Sequence, residues 1–200
     1  MNYKNSRDAA WQMLIKNKVT SLPVSVNMIC ESEGIRLFTY REGLPVIQSL
    51  KLQDHMIGND AFSIDRVIFY DDCMPLGRQR FSIAHEIGHI VLHESDGATV
   101  HNREMSPGDD PKETEANIFA SRLLAPICVL HFVGVCSPEE IAELCNISIT
   151  AARYRFERLC LLRRRDDEQR TRTGRGCFLL STFERKVYKR FKGYIRENKR

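Results

Sequence analysis

Arg80-Phe81-Ser82-Ile83-Ala84-His85-Glu86-Ile87-Gly88-His89-Ile90-Val91-Leu92-His93 is the stretch around which the rest of this chain must be organised. At 100° per residue, Ser82, His85, Glu86, His89 and His93 fall within roughly 100° of arc. Ile83, Ala84, Ile87, Ile90, Val91 and Leu92 fill the remainder. A helix apolar around most of its girth belongs at the centre of a fold. Its polar stripe must then face a cleft that neighbouring elements have shaped to receive it.

On the amino-terminal side, Asn5–Lys18 and Val24–Glu33 read as helices, the second closed by Gly34. Residues 35–40 alternate with period two and residues 66–70 form a β-branched and aromatic run. Both are predicted strands, with a third near Val46-Ile47. Pro75 and Gly77 mark residues 73–79 as a loop, and the central helix is predicted from Arg80. On the carboxyl-terminal side, a polar loop from Ser95 to Pro111 precedes a helix from Lys112 to about Leu124, which Pro126 stops. Ser137-Pro138-Glu139-Glu140 opens a short helix through Leu144. A longer helix is predicted from Ile149 to about Leu162, then a linker or exposed loop over 166–176. Residues 178–196 close the chain as a basic amphipathic helix or a strand and helix.

With 200 residues and 42% hydrophobic content, the chain has the length and apolar content of a globular protein with one principal core. No run approaches the roughly 18 apolar residues that would span a bilayer, and the first residues lack a secretory signal pattern. The expected location is the cytoplasm. Seven cysteines without a Cys-x-x-Cys pair speak against a disulfide framework and a zinc ribbon, and predict buried free thiols. Charge is uneven: residues 1–150 carry 13 Lys/Arg against 20 Asp/Glu, and residues 151–200 carry 17 against 6. A basic carboxyl-terminal region can meet an acidic protein surface or the phosphates of DNA.

The chemistry lies in His85-Glu86-Ile87-Gly88-His89, a His-Glu-x-x-His motif. Residues four apart stack one helical turn above another, so two imidazoles can converge on one ion with the carboxylate beside them. Neutral imidazole suits Zn2+, which lowers the pKa of bound water to about 7. Glu86 is then placed as the general base of peptide hydrolysis, taking a proton and passing it to the leaving amine. A catalytic zinc also needs a third protein ligand. His93 lies about 12 Å along the helix from His85, too far to share one ion. It is read as packing beside the ligands or hydrogen-bonding to them. Glu113 and Glu115 are the carboxylates to weigh, and the sequence leaves the choice between them open. His101, Arg103, Tyr40 and Tyr70 are candidates by type for stabilising an oxyanion. Cys73 is expected as a buried small hydrophobe, with inhibitory thiolate ligation as the other reading.

Residues 80–93, with Glu115-Ala116-Asn117-Ile118-Phe119-Ala120 and Leu123-Leu124-Ala125-Pro126, resemble the ImmA/IrrE family of zinc metallopeptidases in order and spacing. Ala125 stands where that family more usually has Met. The resemblance spans about residues 20–160. It implies an α+β, zincin-like fold, with a short sheet packed on the central motif helix and a helical carboxyl-terminal lobe. It implies zinc held by His85, His89 and, as the acid of the Glu-Ala-Asn block, Glu115. It further implies a protein substrate: a helix-turn-helix repressor of a mobile element, prophage or stress response, whose cleavage or loss changes transcription.

The expected organisation is a metallopeptidase domain over 1–130, a helix-turn-helix-like lobe over 131–165, and a basic linker with a terminal helix over 166–200. Within the lobe, residues 141–148 and 151–156 have the layout of a helix-turn-helix, and Arg153, Arg155 and Arg158 could present cations to DNA. The rival reading is therefore a DNA-binding transcriptional regulator with latent or no protease activity. The basic region could equally deliver a peptidase to a DNA-bound target.

Overall fold

A computed structural model describes residues 3–93, 110–176, 178 and 181–200. It is α+β, with a three-stranded sheet among helices. The chain forms two compact units. The first comprises Ser25–Ala120 with the chain up to Ala10; the second comprises Trp11–Val24 and Ser121–Arg200. Helix α1 (Tyr3–Lys16) contributes residues to both.

In the first unit, α2 (Val26–Glu33) begins where the Ser25 hydroxyl accepts the Met28 N–H. It ends at Gly34, whose φ of 67° lies in the left-handed region that glycine enters without penalty. Strand β1 (Arg36–Thr39) follows. Thr39 then opens α3 (Tyr40–Ser49) with a reciprocal cap: its hydroxyl accepts the Glu42 N–H, and the Glu42 carboxylate accepts the Thr39 N–H. The strand expected near Val46-Ile47 is thus helix. Burial of Tyr40, Gly43 and Ile47 at helical spacing outweighs the local β-branched pair.

The third strand is β2 (Ala61–Ile64), joined to β3 (Val67–Tyr70) by a two-residue turn in which Asp65 takes φ 52°. Strand order is β1-β3-β2, with β1 parallel and β2 antiparallel to β3. Alternation sorts the side chains of the sheet. Phe62 and Phe69 join Tyr40 and Ile47 in one apolar cluster, edged by Phe38, Ile64 and Val67. Ser63 points the other way, to α4 (Leu76–His93), where its hydroxyl reaches Glu86. Helix α4 starts four residues before the expected Arg80, and α5 spans Pro111–Leu124. Most of the loop expected between them, residues 95–109, lies outside the described residues.

The second unit is helical over its described residues. It holds α6 (Ile127–Val133), α7 (Pro138–Cys145), α8 (Ile149–Thr173), α9 (Thr182–Arg190) and α10 (Lys192–Glu197). Ser137 caps α7 with Pro138 at its start, as predicted, and Ser148 caps α8. Helix α8 runs to Thr173 instead of stopping near Leu162, so residues 166–173 are helix and not linker. Its polar end is held by pairs one turn apart: buried Asp166 accepts from Arg170, and the Thr173 hydroxyl bonds the Gln169 carbonyl. Gly174, at φ 69°, terminates it.

By length and composition, Pro111–Val133 contains a window apolar enough to cross a membrane, but 67% of that window is buried in the molecule, as in the core of a globular protein. Among the described cysteines all are free thiols; Cys30, Cys128 and Cys145 are buried as expected, whereas Cys73 and Cys136 are exposed.

Candidate metal centre

His85, Glu86 and His89 are buried in the middle of α4. The two imidazoles turn their Nε2 atoms toward each other at 2.9 Å. Facing them is α5, brought close by an absent side chain: a Cβ on Gly88 would lie 3.1 Å from the Phe119 ring and 3.2 Å from the Ala116 Cα. The approach seats one carboxylate against both histidines. Glu113 Oε2 lies 3.2 Å from His85 Nε2, and its Oε1 lies 3.0 Å from His89 Nε2.

That carboxylate is Glu113 and not Glu115. Glu115, the third ligand implied by the family resemblance, stands 3.9 Å from His93 Nε2. The reason is helical phase. The middle of the apolar face made by Ala116, Phe119, Ala120, Leu123 and Leu124 lies about 50° from Glu113 and about 110° from Glu115, on opposite sides. The wheel therefore carried the signal: Glu113 falls at the edge of the buried stripe and is 8% exposed, while Glu115 is only partly buried. His93 lies one turn beyond His89 on the same stripe, the ring centroids 5.7 Å apart.

Two polar neighbours escaped the sequence reading. Ser63 Oγ donates to Glu86 Oε2 at 2.6 Å, with both side chains buried. Asn117 Oδ1 lies 2.9 Å from His85 Nδ1, on the far side of the ring from Glu113. Ser63 belongs to a four-residue strand too short for its alternation to stand out. Asn117 could have been found as the residue one turn after Glu113 on the same helix face.

The donor set suits a divalent cation. His85 Nε2, His89 Nε2 and the Glu113 oxygens lie 2.9–3.2 Å from their neighbours. Tetrahedral bonds of about 2.0–2.2 Å would separate such ligands by about 3.3 Å. A neutral imidazole that donates at Nδ1 offers a bare lone pair at Nε2. Such a lone pair, a second ring nitrogen and a carboxylate meeting in a buried space form a set that positive charge between them would join. Burial works to raise the Glu113 pKa, but the facing ring nitrogens of His85 and His89, where they carry a proton, outweigh it by hydrogen bonding and hold the carboxyl well below its usual range. The group is an anion at neutral pH.

Other expected participants fall elsewhere. Tyr40 spends its hydroxyl on the Asn59 carbonyl at 3.0 Å, and Tyr70 is half-buried on β3. His101 and Arg103 lie outside the described residues. Cys73 is exposed beside Asp71 and Asp72, contrary to its expected burial. Arg155, one of the cations expected to face DNA, is buried and donates through Nε and Nη2 to the Ala125 carbonyl. That carbonyl ends α5, where the helix dipole favours a cation. Arg153 and Arg158 are exposed.

Residues 30–157 match the peptidase family described as the IrrE N-terminal-like domain. The chain belongs to that family. The matched residues include α4, the first turns of α5 and both histidines, so the IrrE-like assignment and the buried cluster meet on the same residues. The comparison with curated proteins gives no match.

Proposed function

We propose that this IrrE-like chain is a zincin-like, zinc-dependent endopeptidase whose metal is held by His85, His89 and Glu113, with Glu86 as general base. The observation that carries the proposal is the convergence of two Nε2 atoms and one ionised carboxylate in a buried space, one residue from a second carboxylate. Zinc, when bound, supplies Lewis-acid polarisation of water and of the peptide carbonyl. Ser63 occupies Oε2 of Glu86, leaving Oε1 to take the proton of the attacking water. The same carboxyl then gives that proton to the departing amine. Burial of Glu86 and of both imidazoles keeps bulk water from competing for these bonds.

The proposed substrate is a protein, a helix-turn-helix repressor, cleaved in the cytoplasm, where the chain's free thiols would stay reduced. The basic unit has a place in this reading. Arg153 and Arg158 on the exposed side of α8 would contact DNA and deliver the peptidase to a bound target. The test is incubation with the regulator encoded beside this gene. A discrete fragment that disappears with chelator, and in Glu86→Gln, supports the reading. An intact regulator in the presence of zinc-loaded protein contradicts it.

A further inference from the structure

The His85 ring is gripped at both nitrogens. Glu113 lies against Nε2 at 3.2 Å and Asn117 against Nδ1 at 2.9 Å. These two residues are four apart on α5, one turn of about 5.4 Å, which is the spacing needed to flank an imidazole edge-on. We propose that Asn117 is a positioning residue that fixes the tautomer of His85. Its side-chain oxygen holds the ring proton on Nδ1 and so keeps Nε2 as a bare lone pair facing His89 and Glu113.

The argument is one of donor counting. An amide oxygen only accepts, so the atom facing it must carry hydrogen. A neutral imidazole carries one N–H, and placing it on Nδ1 leaves Nε2 free of hydrogen. Without that acceptor the ring would take the opposite form, common in free histidine, and donate from Nε2 to Glu113. A proton would then occupy the space in which three ligand atoms converge. The residue at 117 is also uncharged. It orients the ring without adding a third carboxylate to the two of Glu86 and Glu113.

The inference rests on the metal-site reading for its purpose, but its own content is the state of one ring. The experiment is nitrogen-15 NMR of the full-length, metal-free protein at pH 8, with the His85 signals assigned by their loss in His85→Gln. The expected pattern is the Nδ1–H tautomer. In Asn117→Leu the pattern should move toward Nε2–H, and zinc affinity measured by chelator competition should fall about 10–100-fold. Asn117→Asp should keep the Nδ1–H form and bind zinc no more weakly than the parent. An Nε2–H tautomer in the parent protein overturns the proposal even if the leucine variant does not fold. So does an Asn117→Leu protein unchanged in both tautomer and affinity. Parent protein that shows Nδ1–H yet takes up no zinc upholds the role of Asn117 and removes the metal reading.

Discussion

Glu113 in the first unit and Arg155 in the second are both buried charges, and their surroundings differ in kind. Arg155 meets a complement: two of its donors converge on the Ala125 carbonyl at the end of a helix. Burial is the main reason its pKa falls to about 9, with Arg122 adding to the shift, so it remains a cation near neutrality. Asp166, nearby in sequence order along α8, likewise has the Arg170 guanidinium. Glu113 instead meets two ring nitrogens that also face each other, and with the His85 proton on Nδ1 the His85 Nε2 and the Glu113 carboxylate are acceptor against acceptor. At Arg155 and Asp166 the second unit closes buried charge with protein groups alone. The other assembles negative and lone-pair character that a cation would complete. Burial of polarity therefore distinguishes a structural contact from a metal centre only when donors and acceptors are counted.

The largest expected effect lies on the chemistry of the first unit. Glu86→Gln keeps the shape and removes the base, so cleavage of the target should fall by at least about 100-fold. Metal content should stay that of the parent, as read by elemental analysis. Next comes the close approach that creates the site. Gly88→Ala sets a methyl against Phe119 and Ala116, which should cost about 1–3 kcal/mol in denaturant unfolding and weaken zinc binding together with stability. Arg155→Met probes the other side of the comparison. It strands the Ala125 carbonyl and should destabilise the protein by about 1–3 kcal/mol, while metal content remains unchanged in protein that is still folded.

The smallest effect is a pH dependence in the second unit. His131 stacks on Phe178 with ring centroids 3.6 Å apart, and burial, aided by Arg163, pushes its pKa down to about 4 from 6.5. Between those values the unfolded chain binds a proton that the folded chain refuses. The contribution of neutral His131 is therefore present above about pH 6.5 and lost as pH falls toward 4. Thermal unfolding at pH 7 and pH 5 should show a larger loss for the parent than for His131→Phe. An equal loss in both would show that this stack is indifferent to protonation.

The comparison also explains what was legible beforehand. The core helix and its histidine pair stand out because residues 81–93 repeat one period with every polar group on one side. Gly34, Ser137 and Pro138 marked helix ends through local chemistry that tertiary contacts did not override. Strand β2 did not stand out: four residues flanked by a turn carry too little alternation, while Val46-Ile47 imitated a strand inside a capped helix. The long α8 was hidden because its final turns are polar on all sides and rest on pairs such as Asp166–Arg170. At the site, motif order pointed to Glu115, whereas helical phase selects Glu113. Arg155 reads as a surface cation in the sequence because composition cannot show that a guanidinium caps a buried helix end.

Metal stoichiometry across two single variants tests the central claim most directly. Protein purified without chelator should carry one zinc per chain, Glu113→Ala should lose it, and Glu115→Ala should retain it. Parent protein free of metal after zinc loading, or loss of zinc from Glu115→Ala with full retention in Glu113→Ala, would contradict the account.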